Sequence, residues 1–140
     1  MRYELITTEF DISMVEGLAA TGRIADAITL INATIQRVNT NGDAAYMPEL
    51  LRIKSALLLS MPQPDADAAE THLMQSLELS RRQGACAWEL RTATDLAALM
   101  VRRGRSEHGR ALLQPVFAQF TEGLDTADLK AAARLLATLS

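Results

Sequence analysis

Several ingredients that many folds depend on are scarce in this 140-residue chain. Its single cysteine, Cys86, excludes an intramolecular disulfide and fits a reducing compartment. One tryptophan, two tyrosines and three phenylalanines are all the aromatic material it has, and β-branched strand formers are thin. No apolar run approaches the ~20 residues a membrane-spanning helix needs; the longest candidate is "ALLLSM" at 56–61. The N-terminal "MRYELITTEFDISM" carries acids where a secretory signal needs an apolar stretch. A net charge of −3 argues against a general polyanion binder.

What is present is alanine and leucine in a composition that is 49% apolar. These are helix formers that pack closely. A chain of this length buries a core without staples. The composition therefore predicts one all-α domain over residues 1–140, in the cytoplasm and away from membranes.

Three stretches resemble one another: "TGRIADAITLINATI" from 21, "DADAAETHLMQSLEL" from 65 and "RGRSEHGRALLQPVF" from 103. Each has a turn, a small residue and then an apolar face at helical spacing. Ala27, Ala69 and Gly109 align at intervals of 42 and 40 residues, with Ile31, Leu73 and Leu113 four positions further on. A further helix precedes each stretch, over about 8–20, 45–60 and 86–102. Turn signals separate them at "ATGR", "TNGD", "MPQPDAD", "RQGA" and "RRGR". Pro48 then has to lie in the first turn of its helix, where a missing N–H costs nothing.

The tail "FTEGLDTADLKAAARLL" (120–136) adds one more element. Gly123 closes a helix and Leu124 folds back onto it. Asp125 or Thr126 caps the next helix, with Asp128 in its first turn. A period near forty made of two helices is the mark of a solenoid, in which neighbouring hairpins supply one another's missing wall. The predicted architecture is a right-handed stack of three antiparallel hairpins (about 8–40, 45–83 and 86–122) plus a capping helix (about 126–139). Ala27, Ala69, Ala93, Ala97 and Gly109 mark the closest helix approaches.

The spacing of small and large residues resembles a tetratricopeptide repeat, with a period longer than the usual ~34 residues. More specifically, "PELLRIKSALLL" (48–59), "RRQGACAWELRTATDLAAL" (81–99) and "FTEGLDTADL" (120–129) resemble the C-terminal repeat region of large bacterial signalling proteins. Those proteins join a P-loop ATPase module and repeats to a nucleotide cyclase or a DNA-binding regulator domain. Ser55 and Gly109 stand where the repeat pattern usually has glycine and alanine. The resemblance implies a protein-interaction or sensing part. No GxxxxGK[ST] loop or cyclase segment occurs in this sequence, so the expectation is the repeat region alone, free-standing or part of a longer protein.

Chemistry-bearing residues are few. His72 and His108 lie 36 residues apart without the supporting ligands that a metal site needs, and exposed helix positions explain them. Cys86 has no histidine partner for nucleophilic work, and a buried or half-buried thiol at a helix start is expected. The acids of "DADAAE" (65–70) suit a helix N-terminus and lack the glycine and bidentate glutamate of a calcium loop. Trp88 reads as a hairpin anchor. The expectation is a non-enzymatic protein without metal or cofactor.

Charge is more informative. Residues 81–110 hold seven arginines against three acids, and residues 1–80 hold five bases against eleven acids. "RRGR" suits a helix C-terminus, and without interleaved aromatics it is a poor nucleic-acid footprint. In a helical solenoid the first helix of each hairpin lines the concave surface. Arg91 and Arg102, eleven residues apart, project the same way. With Asp95 beside Arg91 and with Arg52 in the preceding hairpin, they are the candidate clamp for an acidic protein or peptide partner. Solubility decoration is the competing explanation. On the first helix, Phe10, Met14 and Leu18 form one apolar line and Ile12, Val15 and Ala19 another. A terminal hairpin should be polar outside, so either further repeats precede it or two copies meet there; a symmetric homodimer through this helix or an exposed apolar edge is predicted.

Overall fold

A computed structural model of the chain describes residues 2–41, 44–122 and 126–139, with side chains from residue 7 onward. Within the described residues the protein is all-α, without strands. Its helices are α1 (Arg2–Ala20), α2 (Ile24–Asn41), α3 (Met47–Leu59), α4 (Ala66–Gln83), α5 (Cys86–Arg102), α6 (Ser106–Ala118) and α7 (Ala127–Thr138). Helix α1 starts at Arg2, ahead of the expected start near residue 8. Nothing between the two points breaks a helix, and arginine, glutamate and leucine propagate one readily. None of the described helices is long and apolar enough to cross a membrane. By its contacts the chain forms two compact units, Met1–His72 and Leu73–Ser140, with the boundary inside α4.

In the first unit, α1 packs on α2 and α2 on α3. Val15, Ala27, Ile31 and Leu50 are fully buried there. Pro48 falls in the first turn of α3, behind Tyr46 at the N-cap. Ser55 of α3 is buried, and its hydroxyl lies 2.9 Å from the Leu51 carbonyl and 3.1 Å from that of Ala69 in α4. A small polar residue suits this buried position because its hydroxyl is satisfied by the backbone it approaches.

A polar seam crosses the interface between α1 and α2. Arg37 donates through Nη1 to Asp11 Oδ2 (2.9 Å) and through Nη2 to Thr8 Oγ1 (2.9 Å), and Thr34 Oγ1 donates to the same Asp11 oxygen (3.1 Å). Thr8 and Thr34 are buried. Asp11→Ala removes the acceptor that Arg37 and Thr34 share. The expected loss, read from urea denaturation, is about 1–2 kcal/mol, in the range of charged hydrogen bonds left half-exposed.

In the second unit, α5 packs against both α6 and α7. Ser76 of α4 and Thr92 of α5, both buried, meet at 2.8 Å. Gly109 of α6 sits against the Ala97 backbone: a Cβ there would lie 3.0 Å from the Ala97 carbonyl oxygen. Glycine accommodates this approach without that tight contact. Thr126 is the N-cap of α7, its hydroxyl accepting from the Leu129 N–H (3.4 Å). The readings made for Gly42, Asp43, Gly123, Leu124 and Asp125 lie outside the described residues.

The turns of pairs α1–α2 and α5–α6, with the helix ends that flank them, match at an offset of 82 residues, while α2 runs on beyond the counterpart of the end of α6. Gly22 and Gly104 close the first helix of each pair at φ +82° and +80°, a backbone region glycine reaches without a Cβ penalty. The following arginine N–H bonds back five residues at 2.8 Å in both, Arg23 to Leu18 and Arg105 to Met100. The glycine N–H bonds back three residues at 3.1 Å in both, to Ala19 and Val101. These two bonds define a Schellman closure. Beyond the turn, Ala27 matches Gly109, Ile31 matches Leu113 and Thr34 matches Val116, all buried.

Candidate functional site

The candidate cations Arg91 and Arg102 both lie on α5, three turns apart and therefore about 16 Å along the axis. No single carboxylate reaches both. An extended segment of about five residues would span them. Arg91 is already engaged: its Nε donates to Asp128 Oδ2 of α7 at 2.8 Å, with 41% of the arginine side chain still exposed. The sequence reading paired Arg91 with Asp95 on its own helix; the first turn of α7 brings Asp128 to it as well. Arg102 is exposed and makes no hydrogen bond or ion pair among the described residues. It opens a basic turn with exposed Arg103 and half-buried Arg105.

Arg52 belongs to the first unit, on α3. Its guanidinium pairs with the buried Glu49 one turn earlier on the same helix. A parallel arrangement exists in the second unit, where buried Glu89 accepts from Arg81 Nε at 3.1 Å. Glu49 and Glu89 are forty residues apart, and each is followed by a buried leucine, Leu50 or Leu90. That recurrence, "PELL" and "WELR", is readable in the sequence; the arginine that serves each carboxylate is not.

Other singled-out residues resolve as follows. Cys86 is exposed, contrary to the expected buried or half-buried thiol. It is the first residue of α5, ahead of the apolar face that begins at Leu90, so its side chain projects to solvent. His72 is half-buried and His108 exposed. Trp88 is half-buried at the start of α5. Asp65 accepts from the Ala68 N–H (3.1 Å), the bond of an N-cap. Among the described residues no group of three histidine, cysteine, aspartate or glutamate side chains is placed to hold a metal ion.

The second unit also carries a surface that sequence reading did not single out. A cleft of about 310 Å³ opens between α6 and α7, lined by Arg110, Gln114, Phe117, Ala133, Leu136 and Ala137. It runs into a shallower hollow along α6 at Glu107, Ala111, Pro115 and Ala118. Pro115, inside α6, has no N–H to return to the carbonyl four residues earlier. Arg110 Nη1 donates to the Leu139 carbonyl (3.2 Å) at the end of α7.

Compared with family models, curated proteins and solved structures, the chain matches none of them.

Proposed function

We propose that the protein is a non-enzymatic protein–protein interaction module built as a tetratricopeptide-like solenoid of three hairpins and a capping helix. The observation that carries this reading is the 82-residue correspondence of α1–α2 with α5–α6, two periods of the forty-residue repeat. Repeats of this kind supply extended surfaces rather than enclosed pockets. The partner is an acidic protein or peptide segment. It is recognised in the second unit by Arg102 with its neighbours Arg103 and Arg105, with Arg91 extending the track along α5. Its setting, from the sequence resemblance, is the scaffold or sensing part of a cytoplasmic bacterial signalling or transcription-regulatory system.

A fluorescent glutamate-rich peptide titrated against the chain tests the charge recognition. Replacing Arg91 and Arg102 with alanine should weaken binding about tenfold, which is ~1.4 kcal/mol, and added salt should weaken it further. The thermal midpoint should fall only slightly, by the worth of the half-exposed pair with Asp128. Equal affinity in wild type and double variant removes the arginine assignment.

A second reading is favoured by the exposure of Phe10 (63%) and Met14 (46%) on α1. In it the module joins copies of itself, as a homodimer through the N-terminal helix, and has no heterologous ligand.

A further inference from the structure

The offset of 82 residues shows what the outer side of α1 is built to do. On the inner side the two helices agree: Thr8 matches Leu90 and Val15 matches Ala97, all buried. They part most sharply, from buried to exposed, along one line. Thr92, Leu96 and Leu99 of α5 are buried, and Thr92 meets Ser76 of α4. The corresponding Phe10, Met14 and Gly17 of α1 are exposed. A Cβ built on Gly17 would have nothing within 4 Å. This line is a helix-accepting face left uncovered.

Charge selects what covers it. Between residues 7 and 20, α1 carries Glu9, Asp11 and Glu16 and no base. Glu9 and Glu16, seven residues apart, flank the apolar line on one side. A twofold antiparallel pairing of α1 with itself sets that flank against its own copy, carboxylate facing carboxylate. The rim of the cleft between α6 and α7 is mainly basic, with Glu107 the acid of the adjoining hollow. The cleft's apolar floor of Phe117, Ala133, Leu136 and Ala137 is bordered by Arg110 on α6 and by exposed Lys130 and Arg134 on the neighbouring flank of α7. Charge also divides along the chain. Residues 1–72 hold five bases against ten acids, and residues 73–140 nine bases against seven acids.

From these observations we infer that the Phe10–Met14–Gly17 face of one copy docks into the α6–α7 cleft of a second copy, giving head-to-tail association. The inference rests on the self-association reading and replaces its symmetric contact with a heterologous one. A heterologous contact uses two different patches, so each added copy leaves one of each free and the assembly grows by single units unless it closes into a ring.

Sedimentation velocity of the full chain over a concentration series tests this with two surface variants. Phe10→Asp removes the knob and keeps the cleft; Ala133→Glu blocks the cleft and keeps the knob. Both positions are exposed, and circular dichroism verifies that each variant is folded. Wild type is expected to form dimers and larger species that shrink with added salt. Each variant alone should associate at least tenfold more weakly. Mixed together, the two should form a one-to-one heterodimer and nothing larger, because one intact knob and one intact cleft remain. If Ala133→Glu associates like wild type while Phe10→Asp does not, the contact is α1 on α1, and only the head-to-tail assignment falls. If Phe10→Asp associates like wild type, or the mixture yields no heterodimer, the assignment also falls. A wild type that stays monomeric throughout overturns self-association together with it.

Discussion

Replacing Gly109 with leucine is expected to lower the thermal midpoint by roughly 4–12 °C, the equivalent of about 1–3 kcal/mol of overpacking. The site leaves no alternative to moving a helix. A Cβ at this position already lies 3.0 Å from the Ala97 carbonyl oxygen and 3.4 Å from its Cα, both backbone atoms that cannot rotate aside. Leucine adds three further carbons in the same direction, so α5 and α6 must separate. Separation opens contacts around Leu96 and Leu113, both buried in the second unit. Alanine makes a useful contrast. It meets the same tight contact but recovers about 1 kcal/mol of helix propensity over glycine, so Gly109→Ala should stay near wild type. A leucine variant as stable as the alanine one would mean that the two helices do not approach this closely.

Truncating the apolar residue that follows each small one should have a larger effect still. Leu113→Ala and Ile31→Ala each remove a side chain with no solvent exposure. Their expected costs are about 2–5 kcal/mol apiece, from lost burial plus the cavity left behind. The two residues occupy matching places, four positions after Gly109 and Ala27, so the correspondence predicts similar losses in the two units. Chemical denaturation of both variants measures this. A large loss at one position beside a negligible loss at the other would break the equivalence on which the proposed repeat architecture is based.

The helices and their limits were legible because local chemistry set them. Gly22 and Gly104 end helices wherever a left-handed backbone is required, Pro48 is tolerated only in a first turn, and Thr126 caps α7 through its own hydroxyl. The small residues at helix crossings were legible for a related reason: Ala27, Ala69 and Gly109 precede the larger apolar residues at constant spacing. Side-chain partnerships between helices were not. Arg37 with Asp11 and Thr8, or Arg91 with Asp128, are joined across 26 to 37 residues. No periodicity encodes which of several exposed carboxylates a guanidinium will find. Helical spacing therefore points only to a neighbour on the helix of Arg91 itself, whereas Asp128 reaches it from α7. The α6–α7 cleft escaped for a further reason. It depends on the separation of two helices, which hydrophobic patterning does not register.

The exposed thiol at the head of α5 carries a practical consequence for the assembly question. Maleimide chemistry attaches one reporter per chain, on an exposed side chain that does not line the α6–α7 cleft. In an open linear chain every interior reporter has two neighbours at one repeated distance, whereas in a closed pair each has a single neighbour. Dipolar spectroscopy of spin-labelled material, diluted stepwise with unlabelled chain, would distinguish the two by the number of coupled spins.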